Sequence, residues 1–180
     1  MPRVTRSVLI VCFLLAAGSA FAQENATAAT ATCNFDENSQ LVVEYQRVSF
    51  NLKKPLSLQL TFGKVWAPGG KPMTLFTNTP IRIAARNLPA GAYTLFVIPA
   101  ARHWTLVVSK STETSGAYNE QQDVVRVPLD SGELPSPEPE FSVSFAHAAP
   151  DQCNIRLDLD KDGHFTAIQQ NRSGTAANNP

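Results

Sequence analysis

The sequence predicts an all-β, antiparallel β-sandwich, with a closed or partly open β-barrel as the alternative architecture. Three observations predict it. Apolar residues recur with a period of two almost throughout, turn-forming residues separate the runs at short intervals, and no stretch carries a helical apolar period over three turns.

Leu56, Leu58, Leu60 and Phe62 alternate with Ser57, Gln59 and Thr61, a pattern that places four large side chains on one face of a strand. Ile81 and Ile83 alternate with Arg82 and Ala84, and Trp104, Leu106 and Val108 with Thr105 and Ser109. The same period returns in Phe141, Val143 and Phe145 and in Ile155, Leu157 and Leu159. Residues 93–98 differ, since Tyr93, Leu95 and Val97 fill one face and Phe96 and Ile98 the other, the mark of a central strand covered on both sides. Turn formers fill residues 51–55, 68–72, 87–91, 99–102, 131–139 and 148–151. A sandwich and a barrel share these signals, so the periodicity alone leaves both open.

The ends of the chain carry other information. Arg3 and Arg6 precede an apolar run over residues 8–17, followed by small residues up to Ala22. This reads as a secretory signal peptide over residues 1–22, removed together with Cys12. The run is too short to span a bilayer, which takes about 20 apolar residues, and no later stretch approaches that length, so no transmembrane segment is expected after signal removal. An Ala-, Thr- and Asn-rich stretch over 23–32 and an Asn-, Ala-, Ser- and Gly-rich one over 171–180 read as disordered tails. A single domain over 33–170 remains, of ordinary size for one core. The protein is expected to be exported, to the periplasm or the outside.

Loss of Arg3 and Arg6 leaves 13 basic against 15 acidic side chains, a net charge near −2. Basic residues are scattered, which argues against a nucleic-acid partner. Two cysteines survive, Cys33 before the first strand-like run and Cys153 before a late one. In an oxidising compartment a disulfide is the expected outcome. Two free thiols or a shared metal ligand are the alternatives, although no further Cys or paired His stands at ligand spacing.

Several blocks in fixed order then become recognisable. Phe62, Gly63, Lys64, Val65 and Trp66 lead into Pro68, Gly69 and Gly70; residues 88–99 read LPAGAYTLFVIP, residues 104–110 WTLVVSK, and residues 116–127 GAYNEQQDVVRV. With the late HxxPxxCxxR segment of His147, Pro150, Cys153 and Arg156, the chain resembles the bacterial family catalogued as domain of unknown function 2911. The resemblance covers roughly residues 40–169 and implies an exported domain, without implying an activity. Many relatives carry an Arg- and Gly-rich segment ahead of the GKVW block, which residues 48–60 do not reproduce.

Candidate sites are few. Asp158, Asp160, Asp162 and Gly163 match the first half of a calcium loop, but position twelve is Gln169, which has no carboxylate to close it. The competing reading is a hairpin: strands 155–159 and 164–168 around a turn at 160–163, Gly163 taking the positive φ. Metal ligation by Asp158, Asp160 and Asp162 is kept as the lesser alternative, with no cofactor otherwise implied.

His103, His147 and His164 stand apart in sequence, and no G-x-S-x-G elbow surrounds a serine. No catalytic residue is therefore assigned. Tyr118, Glu120, Asp123 and Arg126 form the densest polar constellation, and the odd spacing of Asp123 and Arg126 predicts that they face opposite sides of a strand. Trp66 stands where a β-sandwich module would stack on a sugar, although a tryptophan in the core is the commoner case.

The candidate binding residues are thus Trp66, Tyr118, Asp123, Arg126 and His147. The expected function is a non-catalytic binding module for a cell-envelope carbohydrate or protein, acting through loops such as 69–73 and 111–122. The alternative is an enzyme whose site is assembled in space from Tyr118, Asp123, Arg126 and a histidine.

Overall fold

The fold was described from a computed structural model covering residues 26–111 and 118–172. The expected signal peptide, most of the C-terminal tail and the centre of the 111–122 loop lie outside these residues.

Ten strands follow in chain order: β1 (Thr27–Asp36), β2 (Ser39–Ser49), β3 (Met73–Thr77), β4 (Ile81–Ile83), β5 (Arg86–Leu88), β6 (Gly91–Ile98), β7 (Thr105–Ser109), β8 (Asp123–Pro128), β9 (Asp130–Ala149) and β10 (Gln152–Gln170). All pair antiparallel, in the order β5-β4-β10-β9-β2-β3-β6-β7-β8, with β1 added to β2. The sheet is bent nearly into a closed barrel, the alternative architecture foreseen from the sequence.

The bend is built at β2. Its residues 41–44 pair with β3, while Val48 and Ser49 pair with Phe141 and Glu140 of β9. One strand therefore serves both layers, and a single core fills the space between them. Leu41, Val43, Leu75, Leu95, Leu106, Phe141, Ile155 and Leu157 are fully buried there, the last five drawn from the alternating patterns read in the sequence. Burying such a side chain contributes about 1.5 to 3 kcal/mol, so the period-two pattern is the main driver of the fold. Strand β6 lies between β3 and β7 with Tyr93 through Val97 all buried, as its two apolar faces foretell.

Four local expectations are corrected. Residues 27–32, expected in a tail, form the first part of β1, registered from Thr27 opposite Arg47 to Thr32 opposite Val42. The long β2 offers them an edge, and Ala29 and Ala31 continue the inward face of Cys33 and Phe35 with side chains too small to register as apolar alternation.

Residues 56–62 are not a strand: Leu56–Leu58 is one 3-10 turn, and Leu58 is 77% exposed. Pro55 begins that turn, and Gln59 folds the loop back by accepting from Asn51 N–H at 2.9 Å and donating to the Asn51 and Lys54 carbonyls. These local bonds outweigh the β pattern, leaving Leu60 alone of the four fully inside.

Residues 131–139, expected as a turn, belong to β9 and pair with residues 160–164 of β10. Pro135 and Pro137 are tolerated because among the described residues that part of β9 has no ladder on its other side, and Pro139, which lacks an N–H, meets β2 only through its carbonyl, which accepts from the Phe50 N–H at 2.7 Å.

The 160–163 hairpin does not form. Strand β10 runs on past it, bent by register shifts at Asp160, and the positive φ of 56° belongs to Asp160 rather than Gly163. The actual reversal is at Pro150 and Asp151, between β9 and β10.

Cys33 and Cys153 form a disulfide across 120 residues, with Cα atoms 6.5 Å apart. It ties the β1–β2 hairpin to the β9–β10 hairpin, at the same end as the contacts between β1 and β10.

Candidate functional site

The polar constellation of residues 118–126 is assembled by three local devices. Asn119 caps a 3-10 turn over Glu120–Gln122, accepting from the Gln121 N–H at 3.0 Å. The Lys110 N–H donates to the Gln122 carbonyl at 3.0 Å, which fixes where β8 starts beside β7. A bulge then intervenes: Ser109 pairs with Asp123 but Val108 pairs with Val125, leaving Val124 as the extra residue.

That bulge overturns the expectation that Asp123 and Arg126 face apart. An inserted residue shifts the alternation by one, so positions at odd spacing come to share a face. Arg126 Nε donates to Asp123 Oδ2 at 2.7 Å, and its Nη2 lies 3.1 Å from Glu120 Oε1. Tyr118 donates its hydroxyl to Asp123 Oδ2 and accepts from Arg126 Nη2, which closes a triangle of three side chains.

Tyr118 also packs its ring edge-on to Phe96 at 5.0 Å, covering the outer face of β6. Burial, and next the hydrogen bond to Asp123, push the Tyr118 hydroxyl up to about 12. The bond to Asp123 raises the Arg126 pKa and keeps the guanidinium charged. Asp123 Oδ1 is buried and without a hydrogen-bond partner among the described residues.

The triangle borders a depression of about 470 Å³, lined across from it by residues 84–86 of the β4–β5 turn. Ala84 there adopts φ 51°, a left-handed conformation that costs a side-chain-bearing residue about 1 kcal/mol. Arg86 lines the same depression. Ala84 and Arg86 carry no sequence signal, because they sit some 35 residues from the constellation and meet it only across the sheet.

No hydrogen bond, ion pair or ring contact ties a histidine to this triangle among the described residues. His147 is exposed on β9 opposite Cys153. His164 is buried in the core, stacked on Trp104, with Nδ1 lacking a partner among the described residues and burial lowering its pKa to about 4. Trp66 is half-buried and touches Phe50, Trp104 and Phe141 edge-on, at ring separations of 5.1 to 6.1 Å. Its backbone is held by a two-bond bridge to Val97. Its ring thus packs against the core while staying partly exposed.

A second polar surface lies at the disulfide end. Gln169 accepts from Arg82 and donates to Gln152 at 3.0 Å, and Gln152 donates to Asn154 at 3.0 Å. Asn78 accepts from the Gln40 N–H at 2.8 Å and donates to the Asn38 carbonyl. The trough beside these amides has a volume of about 700 Å³ and is lined by Asp36, Asn38, Thr79 and Gln170 among others. The Asn38 N–H bond to Asp36 lowers that carboxyl's pKa.

Asp158 is engaged by Arg156 at 3.3 Å, and no three acidic, His or Cys side chains converge on a common point among the described residues. The carboxylates at 158, 160 and 162 are therefore not gathered into a calcium loop.

No curated protein and no solved structure matches this chain. A family model does, over residues 26–164, from the first strand to the buried His164, and that span takes in the GKVW block, β6 and the whole constellation on β8. The chain belongs to the family described as protein of unknown function (DUF2911).

Proposed function

We propose that this protein is an exported binding module that recognises a cell-envelope partner without transforming it. The observation that carries the reading is the closed Tyr118–Asp123–Arg126 triangle beside an open depression. A catalytic carboxylate or tyrosine needs a free proton path and a pKa near the working pH. Here the Tyr118 hydroxyl, the Arg126 guanidinium and Asp123 Oδ2 are held by one another, and the Tyr118 hydroxyl is pushed to about 12, away from acid–base use near neutrality. Paired, rigid polar groups on a β scaffold suit recognition, where fixed hydrogen-bonding geometry gives specificity. The Cys33–Cys153 disulfide supports export, since such bonds persist in oxidising compartments.

A carbohydrate is the second reading of the partner, favoured by the trough lined by Asn38 and Gln170 and the adjoining depression lined by Asn87, Gln169 and Gln170, whose amide donors and acceptors match sugar hydroxyls.

Thermal-shift measurements with soluble cell-wall glycans and with envelope-protein peptides test the reading. The expected result is a raised melting temperature with the ligand recovered unchanged in mass. Recovery of a cleaved or modified ligand would overturn it.

A further inference from the structure

The two ends of the sheet, β5 and β8, are each paired on one side alone among the described residues. They border the same depression, with residues 84–86 on one wall and Glu120 with residues 123–126 on the other. The barrel thus stays open along a seam between two unsatisfied strand edges.

The direction of the free backbone on β8 follows from its register. The Leu129 N–H donates to the Trp104 carbonyl at 2.7 Å. By the two-residue alternation of an antiparallel ladder, Leu129 and Val127 turn their amides toward β7, while positions 126 and 128 turn theirs into the seam. Position 128 is a proline, which has no N–H to leave unpaired there. Arg126 is then a seam-facing position whose N–H and carbonyl meet no strand among the described residues. Beside it, the Asp123 side chain is only 9% exposed, lines the same depression, and has one oxygen, Oδ1, that accepts from nothing among the described residues. The charges along the seam balance, with Arg86 and Arg126 against Glu120 and Asp123.

We infer that the seam takes an extended polypeptide segment of a partner protein, of low net charge. The segment adds to β8 as a further strand, pairs with the backbone of Arg126 and supplies a donor to Asp123. The inference rests on the binding-module reading and names the class of its partner. Backbone pairing gives such a complex affinity, and side-chain pockets give it specificity. The bulge at Val124 and Pro128 bracket the available stretch, so the ladder is short and does not propagate into open-ended association.

The test uses the full mature protein and random peptides displayed on phage. A selected peptide is synthesised plain and with single backbone N-methyl groups. The expected result is slowed hydrogen exchange in fragments covering residues 84–88 and 123–128, and about tenfold weaker binding when alternate amides of the peptide are methylated. Failure to select any peptide, a footprint elsewhere, or indifference to methylation would overturn the inference. A glycan panel on the same preparation separates the two levels. Glycan binding without peptide binding removes the seam proposal and leaves the binding module, whereas binding of neither removes both.

Discussion

His164 lies flat against Trp104, with ring centroids 4.4 Å apart and planes within 15° of parallel. Stacking inside the core keeps the imidazole neutral, and burial lowers its pKa from 6.5 to about 4, against an opposing pull from Asp162 and with a small push from His103. Between those two values the unfolded chain binds a proton that the folded one does not, so stability falls as pH drops through that window. The loss approaches about 3 kcal/mol below pH 4. Urea midpoints measured from pH 7 to 4 should show the decline, and His164→Phe should flatten it. A variant that keeps the wild-type slope would move the cause elsewhere.

The Cys33–Cys153 bond closes a 120-residue span. In the chain-entropy picture a loop of this size stabilises by about 4 to 5 kcal/mol. The double variant Cys33→Ser and Cys153→Ser should lose most of that in chemical denaturation, as should the reduced wild type. Equal midpoints with and without reductant would refute the estimate.

A methyl group at Gly163 would come within 2.5 Å of Asp158 Oδ1 and 3.0 Å of Arg156 Nη2. Both atoms end movable side chains, so the strain is relieved by parting the Arg156–Asp158 pair rather than by moving the backbone. Gly163→Ala should destabilise by about 1 to 2 kcal/mol, and Asp158→Ala in the same chain should recover part of the loss. Additive losses in the double variant would count against the contact.

Tyr118→Phe removes one corner of the triangle while keeping the ring against Phe96. The expected cost is about 1 kcal/mol in unfolding, together with disappearance of the ultraviolet titration step near pH 12. Persistence of that step would assign it to another tyrosine.

The sequence makes legible those parts of the fold in which large apolar residues alternate without competition. Strands β6, β7 and the first part of β10 follow directly from Tyr93–Ile98, Leu106–Val108 and Ile155–Leu159, while the continuation of β10 past 160–163 does not. Leu56 to Phe62 misleads because Pro55 and the Gln59 amide impose a local turn that period counting does not register. Thr27 to Thr32 misleads in the other direction, since an edge strand of Ala and Thr draws its order from β2 rather than from its own hydrophobicity. At the site, the residue types of Tyr118, Asp123 and Arg126 are visible in one short segment. Their mutual contact is not, because it depends on a bulge at Val124 that is defined only by the neighbouring strand. The opposing wall at Ala84 and Arg86 depends on closure of the whole sheet, which no local pattern encodes.

Because the ribosome delivers Cys33 well ahead of Cys153, the earlier thiol has no native mate until the β9–β10 ribbon arrives. The covalent latch can therefore close only after most of the polypeptide has been made. A truncation between residues 33 and 153 leaves Cys33 as an orphan sulfhydryl, open to exchange with other thiols and disulfides.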